Sequence, residues 1–389
     1  MKFAERVEQL PPYLFAAISR LIEEKKKQGI DVISLGIGDP DLPTPEHILA
    51  SLNNASSSPE NHRYPESEGL PEFREAVARW YSNRHNVALD PSTEIVSLIG
   101  SKEGIAHLPL CFIDPGDVSL ITDPGYPVYE IATMFAGGSS IRLPLEEENG
   151  WMPNLKKIDK EVIEKSKILW LNYPNNPTGA VATKAFFEEA VEWAHSTGIL
   201  IAHDLAYADV TFDDYIAPSI LEIDGAKDVA IEFNSLSKTF NMTGWRIAMA
   251  VGNATVIDAL TRVKSNMDSG VPQAIQQMAI TAMDDPRDSI TAHNKIYQIR
   301  RDKVLKVLRD LGLKVNTPKA SLYVWAKLPE GESNSGDYAA QLVEQTGVVV
   351  TPGSSYGSSG EGYIRISLTI ADERLDEALS RLSEFASTK

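Results

Sequence analysis

The chain has 389 residues, 43% apolar, 23% charged and 8% aromatic, which excludes collagen-like, disordered and disulfide-scaffold proteins. That length exceeds what one hydrophobic core serves, so two domains are expected. A formal charge of −17 lacks the basic surface that phosphate backbones require, so no nucleic-acid partner is expected.

Met1 to Leu10 reads as an arm, halted by Pro11 and Pro12. From Tyr13 to Gln28 apolar residues recur at spacings near three and four, which predicts an amphipathic helix closed by Gly29. The run DVISLGIG predicts a strand leading into the Pro-rich turn DPDLPTPEH, and Pro71 to Tyr81 predicts another helix. Strand-like and helical runs then alternate: EIVSLIG before KEGIAHLPLCFI, VSLIT before YEIATMFA, ILWLN before AFFEEAVEWAHS, ILIAHD before VAIEFNSLS. Such a pattern marks βαβ units around a mostly parallel sheet, an α/β fold. Near Ser289 the texture changes to a long helical stretch, the runs LYVWAKL, GVVVTPG and YIRISLTI, and a last helix from Ala371 to Ala386. The expected division is a large domain over 46–288 and a smaller α+β domain over 289–389, joined by part of the N-terminal segment 1–45.

The one cysteine, Cys111, cannot form an intrachain disulfide and reads as a small buried hydrophobe. The start MKFAERVEQLPPYLF has no apolar core of signal-peptide length, and no run approaches a membrane span; a cytoplasmic protein without a membrane partner is expected. LGIGDPD places Gly36 and Gly38 after a strand but lacks the third glycine of a dinucleotide loop, and Pro40 and Pro43 interrupt any helix start. There is no GxxxxGK[ST], and His203-Asp204 lacks the paired histidines of a metal site, so no metal is expected.

The chemistry concentrates in a few segments. In Ser235-Leu-Ser-Lys238, a lysine follows a strand end at the C-terminal edge of a parallel sheet, where open α/β proteins bind ligands. A lysine among apolar neighbours loses its proton more easily and becomes nucleophilic. Ser235 and Arg246 together supply a hydroxyl and a permanent charge for a phosphate. Gly100-Ser101-Lys102 opens a helix, a second anion site. Asn172 to Gly179 (NYPNNPTG) and Asp204 to Tyr207 (DLAY) each follow an apolar strand. Arg365 stands inside the strand YIRIS, where a buried charge requires an anionic partner, from the protein or from a ligand.

NNPTG, DLAY, SLSKTF…GWR and YIRIS occur in an order and spacing that resembles the fold-type I, class I/II aminotransferases over essentially the whole chain. The resemblance implies a large domain with a mostly parallel central sheet, a smaller α+β domain and pyridoxal 5′-phosphate as cofactor. It implies Lys238 as the lysine that bonds the cofactor and shuttles the α-proton, Asp204 as partner of the pyridine nitrogen, and Tyr207 with Asn176 at the ring oxygen. Tyr126 resembles the stacking aromatic; Ser101, Lys102, Ser235 and Arg246 resemble the phosphate cup. Tyr64 resembles the tyrosine that reaches a neighbouring subunit's phosphate, implying a homodimer with shared sites. Arg365 resembles the arginine that forks onto the substrate α-carboxylate, with Gly38 and Asn176 beside it. The implied substrates are a small amino acid and a 2-oxo acid.

Within that family the N-terminal string PPYLFAAISRLIEEKKKQGIDVISLGIGDPDLPTPEHI and the segment KSNMDSGVPQAIQ are most similar to LL-diaminopimelate aminotransferases. There the resemblance brings Tyr13 and Asn266 toward the substrate's distal end. It implies LL-diaminopimelate and 2-oxoglutarate as substrates, in lysine or cell-wall precursor biosynthesis. The alternatives are an alanine or aspartate aminotransferase of broad scope and, behind it, a carbon–sulfur lyase. No clear second arginine for a distal carboxylate is present, which counts against a dedicated aspartate enzyme. A non-catalytic cofactor-binding module is disfavoured by the charge and by retention of every catalytic position.

Overall fold

The computed structural model describes residues 1–11, 14–285 and 288–388, so Tyr13 lies outside the described residues. The helix expected from Tyr13 to Gln28 spans Leu14–Lys27 and is followed by Gly29 at φ +80°. Its successor is a short strand, β1 (Ile33–Ser34), much of DVISLGIG being extended chain without ladder pairing.

Seven strands form the central sheet: β2 (Ile95–Leu98), β3 (Val118–Asp123), β4 (Ser139–Pro144), β5 (Ser166–Asn172), β6 (Leu200–Asp204), β7 (Ala230–Ser235) and β8 (Ala248–Gly252). Their order is β2-β8-β7-β6-β5-β3-β4; β8 is antiparallel to both neighbours and the other pairings are parallel. This is the α/β fold with a mostly parallel sheet. β3, β7 and β8 are buried along their whole length, so both faces of the sheet are covered there. In β5, Leu169 and Leu171 face one core cluster while Ile168 and Trp170 face another, so the pleat sends alternate side chains to two helical layers.

The helix Lys184–Thr197 shows how the covering layers form. The Thr183 hydroxyl accepts the Phe186 N–H at 3.2 Å, Phe186, Phe187, Ala190, Val191 and Ala194 make its buried stripe, and Gly198 at φ +72° ends it.

Two strands of this sheet are absent from the sequence reading. β4 is an edge strand with only Leu143 buried, so it carries no apolar run. β8 (AMAVG) has two alanines and a glycine, residues of low β-propensity, among its five positions and is held by its two neighbours.

The C-terminal third carries a four-stranded antiparallel sheet of β9 (Lys314–Val315), β10 (Tyr323–Lys327), β12 (Thr351–Pro352) and β13 (Tyr363–Ser367), in the order β12-β13-β10-β9. The helices Asp288–Asp310 and Asp372–Thr388 share its core. β11 (Val348–Val349) pairs in parallel with β1, which ties the N-terminal segment to this part of the chain. No helix among the described residues is long and apolar enough to cross a membrane.

Candidate active site

The parallel strands β2, β3, β5, β6 and β7 all end at one edge, and there the chain delivers Ser101-Lys102, Tyr126, Asn172 to Asn176, Asp204 to Tyr207 and Ser235 to Lys238. Because β8 runs the other way, Arg246 just before it reaches the same edge. The register aligns Asn172 with Asp204, and Ser235 with Ala248. Together these elements wall a cavity of about 380 Å³ lined by Asp39, Ser101, Lys102, Tyr126, Ser235, Lys238 and Arg246 among others.

Lys238 sits in the one-turn helix Leu236–Thr239, capped by Ser235, whose hydroxyl accepts the Ser237 N–H at 3.2 Å. Its Nζ donates to the Gly38 carbonyl at 3.4 Å. Burial lowers its pKa below the ordinary lysine value, which raises the share of neutral amine.

Asp204 is buried, and burial raises its pKa; the Tyr129 hydroxyl, donating to Oδ2 at 2.8 Å, opposes that shift. Tyr129 in turn stacks on Trp170 with centroids 4.8 Å apart. The Asn172 side-chain amide donates to the Asp204 carbonyl at 2.7 Å and its oxygen accepts the Asn176 N–H at 2.8 Å, so one asparagine fixes both loops.

On the cavity wall formed by Ser101, Lys102 and Arg246, Gly100 precedes the helix Ser101–Phe112 at φ +76° and ψ 150°. A Cβ there would stand 2.1 Å from Arg246 Nη2, so only glycine lets the guanidinium approach the helix N-terminus. Cations, a helix N-terminus and an amine on the wall of one cavity, with a buried carboxylate at the end of the neighbouring strand β6, fit a phosphorylated pyridine aldehyde.

Arg365 is fully buried. Nη1 donates to Asn176 Oδ1 at 2.9 Å, Nη2 to the Gly36 carbonyl at 2.7 Å, and Nε has no partner among the described residues. The guanidinium lies 3.9 Å from the Tyr323 ring centroid and 4.9 Å from that of Tyr356. Among the described residues no carboxylate pairs with it. The Tyr207 hydroxyl donates to the Tyr323 hydroxyl at 3.1 Å.

Tyr64 and Asn266 lie elsewhere. Tyr64 is 88% exposed, and Asn266 ends the helix Ala254–Ser265 on the surface, its amide donating to the Arg262 carbonyl at 2.8 Å. Their loops adjoin, since a Cβ on Gly270 would stand 2.9 Å from the Glu66 carbonyl. Cys111 is half-buried, its thiol pKa pushed up by burial to about 12. Glu103, His107 and Asp268 bring ligand atoms within 4.8 Å of one another, but the buried Lys264 ammonium already lies against Glu103 at 3.3 Å and Asp268 at 2.8 Å.

Sequence reasoning did not find Tyr129, Tyr323 or the anchoring role of Asn172. Tyr129 follows Tyr126 by one turn of chain, but its contact with Asp204 crosses 75 positions. Tyr323 is one apolar-strand residue among several.

The family model for aminotransferase class I and II matches residues 30–382. An LL-diaminopimelate aminotransferase of Dehalococcoides mccartyi is 56% identical over 387 residues, covering 100% of both chains. One from Moorella thermoacetica is 52% identical over 98% of each. Among solved structures, substrate-bound BacF from Bacillus subtilis superposes with a TM-score of 0.95 at 37% identity, covering 99% of this chain and 98% of that one.

Proposed function

This chain belongs to the class I and II aminotransferases and is a pyridoxal 5′-phosphate-dependent transaminase, and we propose that it exchanges an amino group between LL-diaminopimelate and 2-oxoglutarate in lysine or cell-wall precursor biosynthesis. The names and identities of the whole-length relatives support the donor. The observation that carries the site assignment is Arg365: a buried guanidinium with no carboxylate beside it among the described residues is poised for a ligand's carboxylate.

Ser101, Lys102, Ser235 and Arg246 would hold the cofactor's phosphate, Tyr126 its ring face, and Asp204 its ring nitrogen. When bound, the cofactor draws electrons from the substrate's α-carbon. Arg365, with Asn176 and Gly38 beside it, holds the α-carboxylate and so orients the Cα–H bond. Lys238 Nζ takes the Cα proton and returns it, helped by a lowered pKa. Tyr129 keeps Asp204 oriented and opposes the rise that burial gives its pKa.

The division into a large domain over 46–288 and a small one over 289–389 with 1–45 is part of this reading. So is a cytoplasmic homodimer in which the exposed Tyr64 and Asn266 serve the partner's site. Tyr13 belongs to the distal substrate contacts in the same reading.

The test is to add single amino acids to purified holoenzyme and follow the cofactor's absorbance. Rapid conversion by LL-diaminopimelate and glutamate, but not by alanine or aspartate, is the expected result. Equal conversion by alanine or aspartate would replace this donor with a broad one, and no conversion by any amino acid would favour a lyase. Lys238→Ala should remove both the cofactor's covalent attachment and turnover; retention of either overturns its role.

A further inference from the structure

We infer that Tyr323 is a positioning residue of the active site, its ring holding the Arg365 guanidinium for the substrate carboxylate and its hydroxyl holding the Tyr207 hydroxyl. The inference rests on the reading of Arg365 as the α-carboxylate site.

Tyr323 is buried and begins β10, which pairs with the arginine's own strand. The register sets Trp325 opposite Arg365 and Tyr323 opposite Ser367, so Tyr323 is the diagonal neighbour of Arg365 on one face of the sheet. That geometry puts the guanidinium carbon 3.9 Å from the ring centroid, a stacked cation–π contact. Of the five N–H donors on a guanidinium, two are spent on Asn176 and Gly36. A ring stacked on the flat face leaves the edge, where the remaining donors lie, for a carboxylate.

The hydroxyl does a different job. It accepts from Tyr207 at 3.1 Å. It also occupies the space above Gly38, where a Cβ would meet it at 2.1 Å. Gly38 in turn accepts from Lys238. One phenol therefore connects the carboxylate arginine, the tyrosine assigned to the cofactor's ring oxygen and the backbone beside the catalytic lysine. Burial, reinforced by Tyr323, raises the Tyr207 pKa well above the ordinary phenol value, so Tyr207 stays a donor.

Two substitutions separate the roles. Tyr323→Phe keeps the ring: the donor KM should stay within about twofold, while the pH midpoint of the bound cofactor's absorbance, read without substrate, shifts. In a Tyr207→Phe background the same change should shift it no further. Tyr323→Leu removes the ring as well and should raise the donor KM about tenfold over the phenylalanine variant, with the same midpoint. An unmoved midpoint in Tyr323→Phe overturns the hydroxyl role, and an unchanged KM in Tyr323→Leu overturns the ring role. If circular dichroism shows the leucine variant unfolded, Tyr323→Met makes the same test. Arg365→Ala, run alongside, distinguishes the two readings: a raised KM there with none in Tyr323→Leu defeats this inference alone, whereas an unchanged KM in Arg365→Ala defeats the carboxylate assignment beneath it.

Discussion

Arg365 and Asp204 are buried ionisable groups that do not pair with each other, and the proposed function gives each a ligand to hold. Such groups favour function over folding. Arg365→Met should therefore leave the cofactor-free protein as stable as the parent or more so, by about 1 kcal/mol in urea unfolding. The same change should raise the amino-donor KM by about two orders of magnitude. For Asp204, burial raises the pKa, and the sign follows: the folded state resists losing that proton, so ionisation weakens folding as pH rises through the raised value. Asp204→Asn should then stabilise the cofactor-free protein at neutral pH while weakening cofactor binding. Glu232 behaves oppositely. Burial opposes its ionisation, but His203 Nδ1 at 2.8 Å, with the Ser219 and Tyr81 hydroxyls, holds its pKa below the ordinary value. Its contribution is present above the unfolded carboxylate range, about pH 4, and is lost as pH falls through the folded pKa. Glu232→Gln should accordingly flatten the acid limb of the stability curve; an unchanged limb between the two proteins would refute that account. Lys238, Asp204 and Arg365 were legible in the sequence because their chemistry is written in local motifs. Tyr129, Tyr323 and Glu232 were not, because each works through a partner distant in the chain.

The helix Ser101–Phe112 presents its N-terminus to the cavity, and two features keep it there. Gly100 takes a backbone conformation reserved for glycine, and Glu103, one turn inside, accepts the Ile99 N–H at 2.9 Å and meets the Lys264 ammonium. Gly100→Ala should cost about 1–3 kcal/mol of stability from strain and weaken cofactor binding, because its Cβ would displace Arg246. Lys264→Met removes a buried cation from between two carboxylates and should cost about 3–5 kcal/mol. Calorimetry with and without cofactor separates loss of fold from loss of ligand. Helices and buried parallel strands were readable from period and apolar runs, whereas β4 and β8 needed their neighbours: an exposed edge carries no apolar run, and a short apolar run rich in alanine does not distinguish strand from helix by itself.

The proposed dimer joins the exposed Tyr64 of one subunit to the Lys238 cavity of the other, and mixing inactive chains tests it. Co-expressed Lys238→Ala and Tyr64→Ala chains should regain activity, since the hybrid rebuilds one native site; purely additive residual activities would exclude shared sites. Sedimentation should show a dimer under the same conditions. By itself the sequence determined the α/β class and the family and named the residues proposed for the cofactor site, because alternating apolar periods and short motifs at strand ends are local properties. Tertiary structure alone decided which groups meet. The antiparallel run of β8 carries Arg246 to the cavity, the pairing of β10 with β13 lays Tyr323 over Arg365, and the parallel ends of β5 and β6 set Asn172 beside Asp204. Those contacts depend on strand order and register, which distant segments settle together by packing and which no local pattern records.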